Sequence, residues 1–250
     1  MLDVAAYLER IGYDGPLDPS AEALRLIHRA HLFRVPFENL DIAMGRKIEC
    51  NEDAAIRKIV ERQRGGFCYE MNGAFSALLR ALGFQVTLLS ARVSREPGGE
   101  GPEFDHLTLR VDLKEPWLAD VGFGDSFVDP LRLQPGLEPE QGCRAFRIVL
   151  DEGRLRLEMR DRNKPWKGQY SFTFQPRRLE DFAGMCHYHQ TSPESHFTQK
   201  RICTLATPDG RVTLADYKLI MTRNGERQER MLASAEEWRE AIKQYFKIAL

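Results

Sequence analysis

Apolar residues recur at helical spacing through the first third of the chain. Leu2, Ala5, Leu8 and Ile11 form one stripe, and Gly12 follows as a stop. Pro19-Ser20 offers the start of a second helix with Leu24, Ile27 and His31 on its stripe. It must end before Pro36, because a proline pushes the residue before it out of the helical region. Asn51 can cap a third helix through Ile56, Ile59 and Val60. A fourth runs from about Tyr69 to Leu82, with Ala74, Phe75, Leu78 and Leu79 apolar and Gly83 at its end.

Beyond Gly83 the apolar runs become short and β-branched. Residues 85–93, 106–113 and 117–121 read as strands, as do 144–150, 154–160 and 170–174. A glycine- and proline-rich loop at 96–104 separates the first two. Further strands are predicted at 202–206, 211–215 and 218–223, with Asp209-Gly210 as a hairpin turn signal. Ser234 with Glu237 three residues on forms a capping box for a last helix through Trp238, Ile242 and Phe246. Helices first, then antiparallel-looking strands, then a mixed end predicts an α+β fold, not an alternating parallel sheet.

Composition narrows the classes. The 250 residues are 42% hydrophobic, enough for a substantial core. The net charge of -1 and the absence of a charged tail give no electrostatic drive toward nucleic acid. No basic-then-apolar leader opens the chain, and no apolar stretch approaches the ~18 residues of a membrane span. The five cysteines, Cys50, Cys68, Cys143, Cys186 and Cys203, are scattered and odd in number. That pattern predicts reduced thiols in a cytoplasmic protein rather than a disulfide framework or a zinc ribbon.

The most informative stretch is Arg64-Gly-Gly-Phe-Cys-Tyr-Glu-Met-Asn72. The glycine pair breaks the preceding helix and leaves room for a bulky substrate to approach the backbone. Cys68 then sits where the next helix begins, at the positive end of its dipole, which favours thiolate. His106 opens a strand and can hold that thiolate as an ion pair, returning the proton to a leaving group. Asp120, on the next strand of an antiparallel hairpin, can accept the ring N–H and stabilise the imidazolium. Taken singly, each has a plainer explanation: a buried small hydrophobe, a half-exposed histidine, a turn aspartate.

The ordered set resembles the arylamine N-acetyltransferases. The resemblance is carried by Val35-Pro-Phe-Glu-Asn-Leu40, by the 64–72 block, by His106-Leu-Thr-Leu and by Asp120-Val-Gly-Phe-Gly124, with a weaker echo in Thr191-Ser-Pro-Glu-Ser-His-Phe197. It implies a helical bundle over 1–83, a central antiparallel β-barrel over 84–185 and an α/β lid over 186–250, around a papain-like core. It implies a catalytic triad of Cys68, His106 and Asp120. Substrate contacts are implied for Phe37, Val93, Phe104, Phe123 and Phe197, the last near the CoA entrance, and CoA contacts for Gly122 and Gly124. Acetyl-CoA would acetylate the cysteine as a co-substrate, with no tightly bound cofactor and no metal. A small aromatic amine, hydrazine or N-hydroxyarylamine would then take the acetyl group. A homodimer is one expected assembly.

Glu38 and Arg64 read as a buried ion pair at the floor of the site. Asp125 departs from the small neutral residue expected there, and a bare carboxylate would repel CoA phosphates. Lys164, Lys167, Arg177 and Arg178 offer alternative phosphate contacts or simply a solvated charge run. Cys186-His-Tyr-His189, with His196, has poor spacing for a metal site. Three competing readings stay open: an amide synthase or other acyltransferase with the same triad, a papain- or transglutaminase-like hydrolase, and a non-catalytic binding module.

Overall fold

The structure, a computed structural model, describes residues 2–95 and 98–249, so Glu96 and Pro97 of the expected loop lie outside the described residues. Helix α1 (Val4–Ile11) is capped by Asp3, whose side chain accepts from Ala6 N, and stops at Gly12 in a left-handed conformation. Ser20 caps α2 (Ala21–Arg34) in the same way. A two-residue strand β1 (Phe37–Glu38) and a single turn α3 (Leu40–Ala43) follow. Asn51 caps α4 (Glu52–Ile56), which runs into a wider π-helical turn at Arg57–Glu61. That extra residue per turn buries Lys58 beside Ile59 and Val60. Helix α5 (Cys68–Ala81) is buried along nearly its whole length.

Eight strands form one antiparallel sheet: β2 (Gln85–Val93), β3 (His106–Asp112), β4 (Pro116–Ala119), β5 (Leu131–Arg132), β6 (Glu140–Gln141), β7 (Arg144–Asp151), β8 (Arg154–Asp161) and β9 (Lys167–Arg177). Their order is β5-β4-β3-β2-β9-β8-β7-β6. The expected barrel is a curled sheet left open, because among the described residues no ladder joins β5 to β6. Its edges border an open pocket of about 440 Å3 between Trp117 and Leu131 on one side and Phe146 and Ile148 on the other.

Helices α6 (Ala183–Thr191) and α7 (His196–Gln199) lead to β10 (Ile202–Thr207), β11 (Gly210–Ala215), β12 (Lys218–Arg223) and β13 (Glu226–Met231). The sequence pattern predicts no strand at β13: all six of its residues are exposed, so no buried face imposes alternation. The closing α8 (Ala235–Phe246) starts at Ser234 as expected; the Glu237 carboxylate, however, bonds Ala233 N rather than Ser234 N. Strand β1 pairs with β10, so the second sheet recruits residues from the helical first third. Its core packs Leu214, Leu219 and Cys203 against Trp238, Ile242 and Phe246 of α8. Among the described residues no helix is long and apolar enough to cross a membrane.

Candidate active site

Helix α5 begins at Cys68, as its glycine-rich approach predicts. The Glu70 carboxylate turns back to accept from Phe67 N at 3.1 Å, satisfying one of the free donors of the helix start. The two glycines have packing reasons that differ from the substrate-approach reading. A Cβ on Gly65 would lie 1.7 Å from the Pro36 carbonyl oxygen, and one on Gly66 would lie 2.6 Å from Glu70 Oε2. That close packing lets Glu38 N donate to Gly66 O at 2.9 Å, joining β1 to the turn before Cys68.

Below this turn lies a charge cluster wider than the expected pair. Arg64 donates to Glu38 Oε1 at 3.0 and 2.7 Å and to Asp41 Oδ1 at 3.2 Å. Lys58 meets Glu70 at 2.8 Å and Asp41 at 2.9 Å. Two cations thus hold three carboxylates. Burial pushes the Glu70 carboxyl up despite Lys58, while for Asp41 Lys58 and Arg64 outweigh burial and hold it below the usual range.

His106 and Asp120 meet by strand register. Leu109 pairs with Ala119, so the ladder extended by one residue sets Asp120 opposite Thr108. His106, two residues earlier on the same face, reaches it diagonally. His106 Nε2 lies 2.7 Å from Asp120 Oδ2, with both residues buried. Asp120 stands just past β4, which ends at Ala119 rather than Val121.

The carboxylate of Asp120 is saturated. Oδ2 also accepts from Tyr170 Oη at 2.8 Å; Oδ1 accepts from Asn72 Nδ2 and Gly122 N, each at 2.9 Å. Burial raises the Asp120 carboxyl, but His106 and the bonds from His106, Asn72 and Tyr170 win and hold it below the usual carboxylate range. Asp120 N donates to His28 Nε2 at 3.1 Å, and His28 Nδ1 donates to Val128 O at 2.7 Å. Burial drops His28 to about 4, so it serves as a neutral strut.

Cys68 lies against the same strand: the Leu107 N–H is directed at its thiol. Burial pushes the thiol up; the Leu107 amide works in the opposite direction. The loop after Asp120 is pressed onto α5, since a Cβ on Gly122 would stand 2.9 Å from Cys68 Cα and 2.7 Å from Asn72 Nδ2. Cys68, His106 and Asp120 are 3%, 3% and 2% exposed, so the trio is shielded from bulk water.

The aromatic candidates separate into groups. Phe123 packs edge-on to His106 at 5.2 Å and beside Tyr170 at 5.1 Å. Phe37 and Phe197 pair at 6.2 Å, and the Phe37 ring lies 3.4 Å from a Cβ placed on Gly124, whose φ is +86°. Val93 is half-buried on β2 opposite Tyr170. Phe104 is turned elsewhere: its ring meets Phe182 at 5.2 Å and lies under Arg177.

Asp125 is not a bare carboxylate. Arg144 grips both of its oxygens, at 2.5 and 3.1 Å, and Arg211 Nε lies 2.9 Å from Oδ1. The anticipated repulsion of phosphates is therefore offset by two guanidiniums. Arg177 is engaged by Glu103 and Arg178 by Asp181. Among the described residues no three His, Cys, Asp or Glu side chains gather as a metal site; His189 contacts Ser195 and Asp105.

Sequence reading missed Asn72, Tyr170 and His28 as supports of the trio. Asn72 was legible in principle, standing four residues after Cys68 on one helix face. Tyr170 and His28 gave no local signal, because their partners lie 50 and 92 residues away.

Residues 20–250 match the family model described as N-acetyltransferase. Arylamine N-acetyltransferase 1 of Homo sapiens is 34% identical over 275 aligned positions, covering 100% of this chain and 95% of its own. The arylamine N-acetyltransferase / N-hydroxyarylamine O-acetyltransferase of Salmonella typhimurium is 32% identical over 229 positions, with 90% of this chain and 81% of the relative covered. The solved structure of the Salmonella typhimurium enzyme superposes with a TM-score of 0.93 at 30% identity, over 99% of this chain and 92% of that one. The Mycobacterium marinum arylamine N-acetyltransferase in complex with CoA superposes at 0.89, with 30% identity over 98% and 93% of the two chains. Full-length similarity at this level, on the same fold, makes this chain an acetyltransferase enzyme that belongs to the arylamine N-acetyltransferase family.

Proposed function

We propose that the chain moves an acetyl group from acetyl-CoA, through a thioester on Cys68, to the nitrogen of a small arylamine or hydrazine or to the oxygen of an N-hydroxyarylamine. The carrying observation is the His106–Asp120 bond at 2.7 Å, made through Nε2, with the Leu107 amide directed at the Cys68 thiol. Asp120 occupies Nε2, so Nδ1 is the ring nitrogen that receives the thiol proton. Because burial holds the thiol up, ionisation occurs as transfer to His106, with Asp120 stabilising the imidazolium.

The sulfur then attacks the thioester carbonyl, and the CoA sulfur leaves with the proton from His106. In the second half, a neutral amine attacks the Cys68 thioester. His106 takes a proton from the nitrogen and passes it to the sulfur as the C–S bond breaks, re-forming the thiol. Arylamines and hydrazides stay unprotonated near pH 7 and suit this step. A site only a few per cent exposed limits hydrolysis of the acyl-enzyme. Phe123, against His106, is placed to pack on the acceptor ring, while Phe37 and Phe197 with Gly122 and Gly124 border the donor side. Arg144 and Arg211 neutralise Asp125 at that border, with Asp161 also on Arg144, so the carboxylate does not face the phosphates bare.

The test is acetyl-CoA added without amine, followed by digestion and mass measurement. An acetyl group on the Cys68 peptide, absent in Cys68→Ala and removed by an arylamine or hydrazine, is expected. An unmodified Cys68 that still alkylates readily would overturn the choice of donor. A Cys68 that neither acylates nor alkylates would overturn its role as nucleophile.

A further inference from the structure

The turn after Asp120 carries Phe123 against His106, and its two ends are held by different parts of the fold. The near end is tied to Asp120 and α5: Val121 N donates to Asn72 Oδ1 and Gly122 N to Asp120 Oδ1, each at 2.9 Å. Beyond Phe123 comes Gly124 at φ +86°, a position with wide backbone freedom of its own. This far end is held from the second sheet. Arg211, on β11, donates through Nη1 to Gly124 O and, at 3.1 Å, to Thr204 Oγ1. Its Nε lies 2.9 Å from Asp125 Oδ1, and Arg144 grips the same carboxylate. The Arg211 side chain is 13% exposed. Thr204 is itself anchored, bonded to Thr213 at 2.7 Å and paired across the ladder with Phe37.

We propose that Arg211 is a positioning residue for an aromatic acyl acceptor: by fixing Gly124 O and Asp125 it holds Phe123 against His106, in the place assigned above to the acceptor ring. The inference rests on the proposed acyl transfer and adds to it a residue from the second sheet.

A guanidinium presents its N–H donors in a fixed plane, so one group serves a carbonyl, a hydroxyl and a carboxylate together. A lysine ammonium would keep the charge beside Asp125 and lose that fork. The Phe123 ring stands 5.2 Å from His106 and 5.1 Å from Tyr170. Released at Gly124, the turn no longer keeps the ring there. An aromatic acceptor then loses a stacking partner, whereas an acceptor without a ring loses nothing of the kind.

The test compares two acceptors on the same acetyl-enzyme. Wild type and variants are charged with acetyl-CoA, and the acetyl group on Cys68 is confirmed by mass. Its removal by para-anisidine and by hydrazine is then timed in single turnovers. Arg211→Met should lower the ratio of the para-anisidine rate to the hydrazine rate by about 3- to 10-fold, the range for one aromatic contact. Phe123→Ala should lower it by a similar factor, and the double variant no further, because both changes remove the same contact. Arg211→Lys should give an intermediate ratio, and it carries the comparison if the Met variant does not fold. A merely structural role would slow both acceptors alike. Equal slowing, a ratio unchanged in either single variant, or factors that multiply in the double variant would overturn the role of Arg211. A wild-type Cys68 that takes no acetyl group would overturn the acyl transfer itself, and this inference with it.

Discussion

Asn72 and Asp120 share a hydrogen bond of 2.9 Å that ties the helix beginning at Cys68 to the carboxylate behind His106. The same amide donates to Leu107 O at 2.6 Å and accepts from Val121 N at 2.9 Å. One side chain, a single turn beyond Cys68, thereby fixes α5, β3 and the loop after β4 in mutual register. Asn72→Ala strands three buried partners. Stability should fall by about 2–4 kcal/mol in urea unfolding, with Cys68 acetylation slowed at least about tenfold. Asn72→Asp, setting a second carboxylate beside Asp120, should move the acetylation pH profile upward; a profile unchanged from wild type would deny the coupling.

The bond between Asp120 and His106 predicts a graded series. Asp120→Asn keeps the shape but removes the charge that stabilises the imidazolium, so Cys68 acetylation should slow by about 1,000-fold or more. Tyr170→Phe removes one of four bonds to the carboxylate and should slow it only several-fold. Single-turnover acetylation from acetyl-CoA measures both, and equal losses would refute this ordering.

His28 and His31 are buried and neutral. Burial brings His28 to about 4 and His31 well below its ordinary value. A depressed folded pKa means that the unfolded chain binds more protons between about pH 6.5 and 4. Stability is therefore fully present above about 6.5 and is lost as pH falls through that window. The His28 share is about 3 kcal/mol. Urea unfolding at stepped pH should show this slope, and His28→Gln should flatten part of it.

Lys58 bridges Glu70 and Asp41 inside the charge cluster. Lys58→Met leaves those carboxylates facing each other with Arg64 alone, so about 3–5 kcal/mol of stability should be lost. Glu70→Gln, at a carboxyl already pushed up by burial, should cost less. Comparative thermal unfolding checks the order.

Glycines in this chain are predicted to differ sharply in tolerance. Gly65→Ala places a Cβ on the Pro36 carbonyl oxygen and should abolish soluble expression or reduce it severely. Gly45→Ala meets open space and only a left-handed φ of +66°, so its cost should be about 1 kcal/mol. Unfolding midpoints of the two variants test the contrast.

Local chemistry sufficed for most elements, because caps, stops and periodicity are properties of neighbouring residues. Asp3, Ser20, Asn51 and Ser234 each cap a helix through a bond three residues long. Strand β2 spans Gln85–Val93 as its pattern predicts. The position of Cys68 at the start of α5 was legible in the same way, from the glycines before it. Only the tertiary structure decided what those glycines accommodate, that the Glu38–Arg64 pair extends to Asp41, Lys58 and Glu70, and that Asp125 is held by Arg144 and Arg211. It also decided that Phe104 turns toward Phe182 while Phe123 faces His106. Most of these contacts join residues from 12 to 86 positions apart. Their energies depend on which surfaces the packed core brings together, and no local pattern of residue types encodes that.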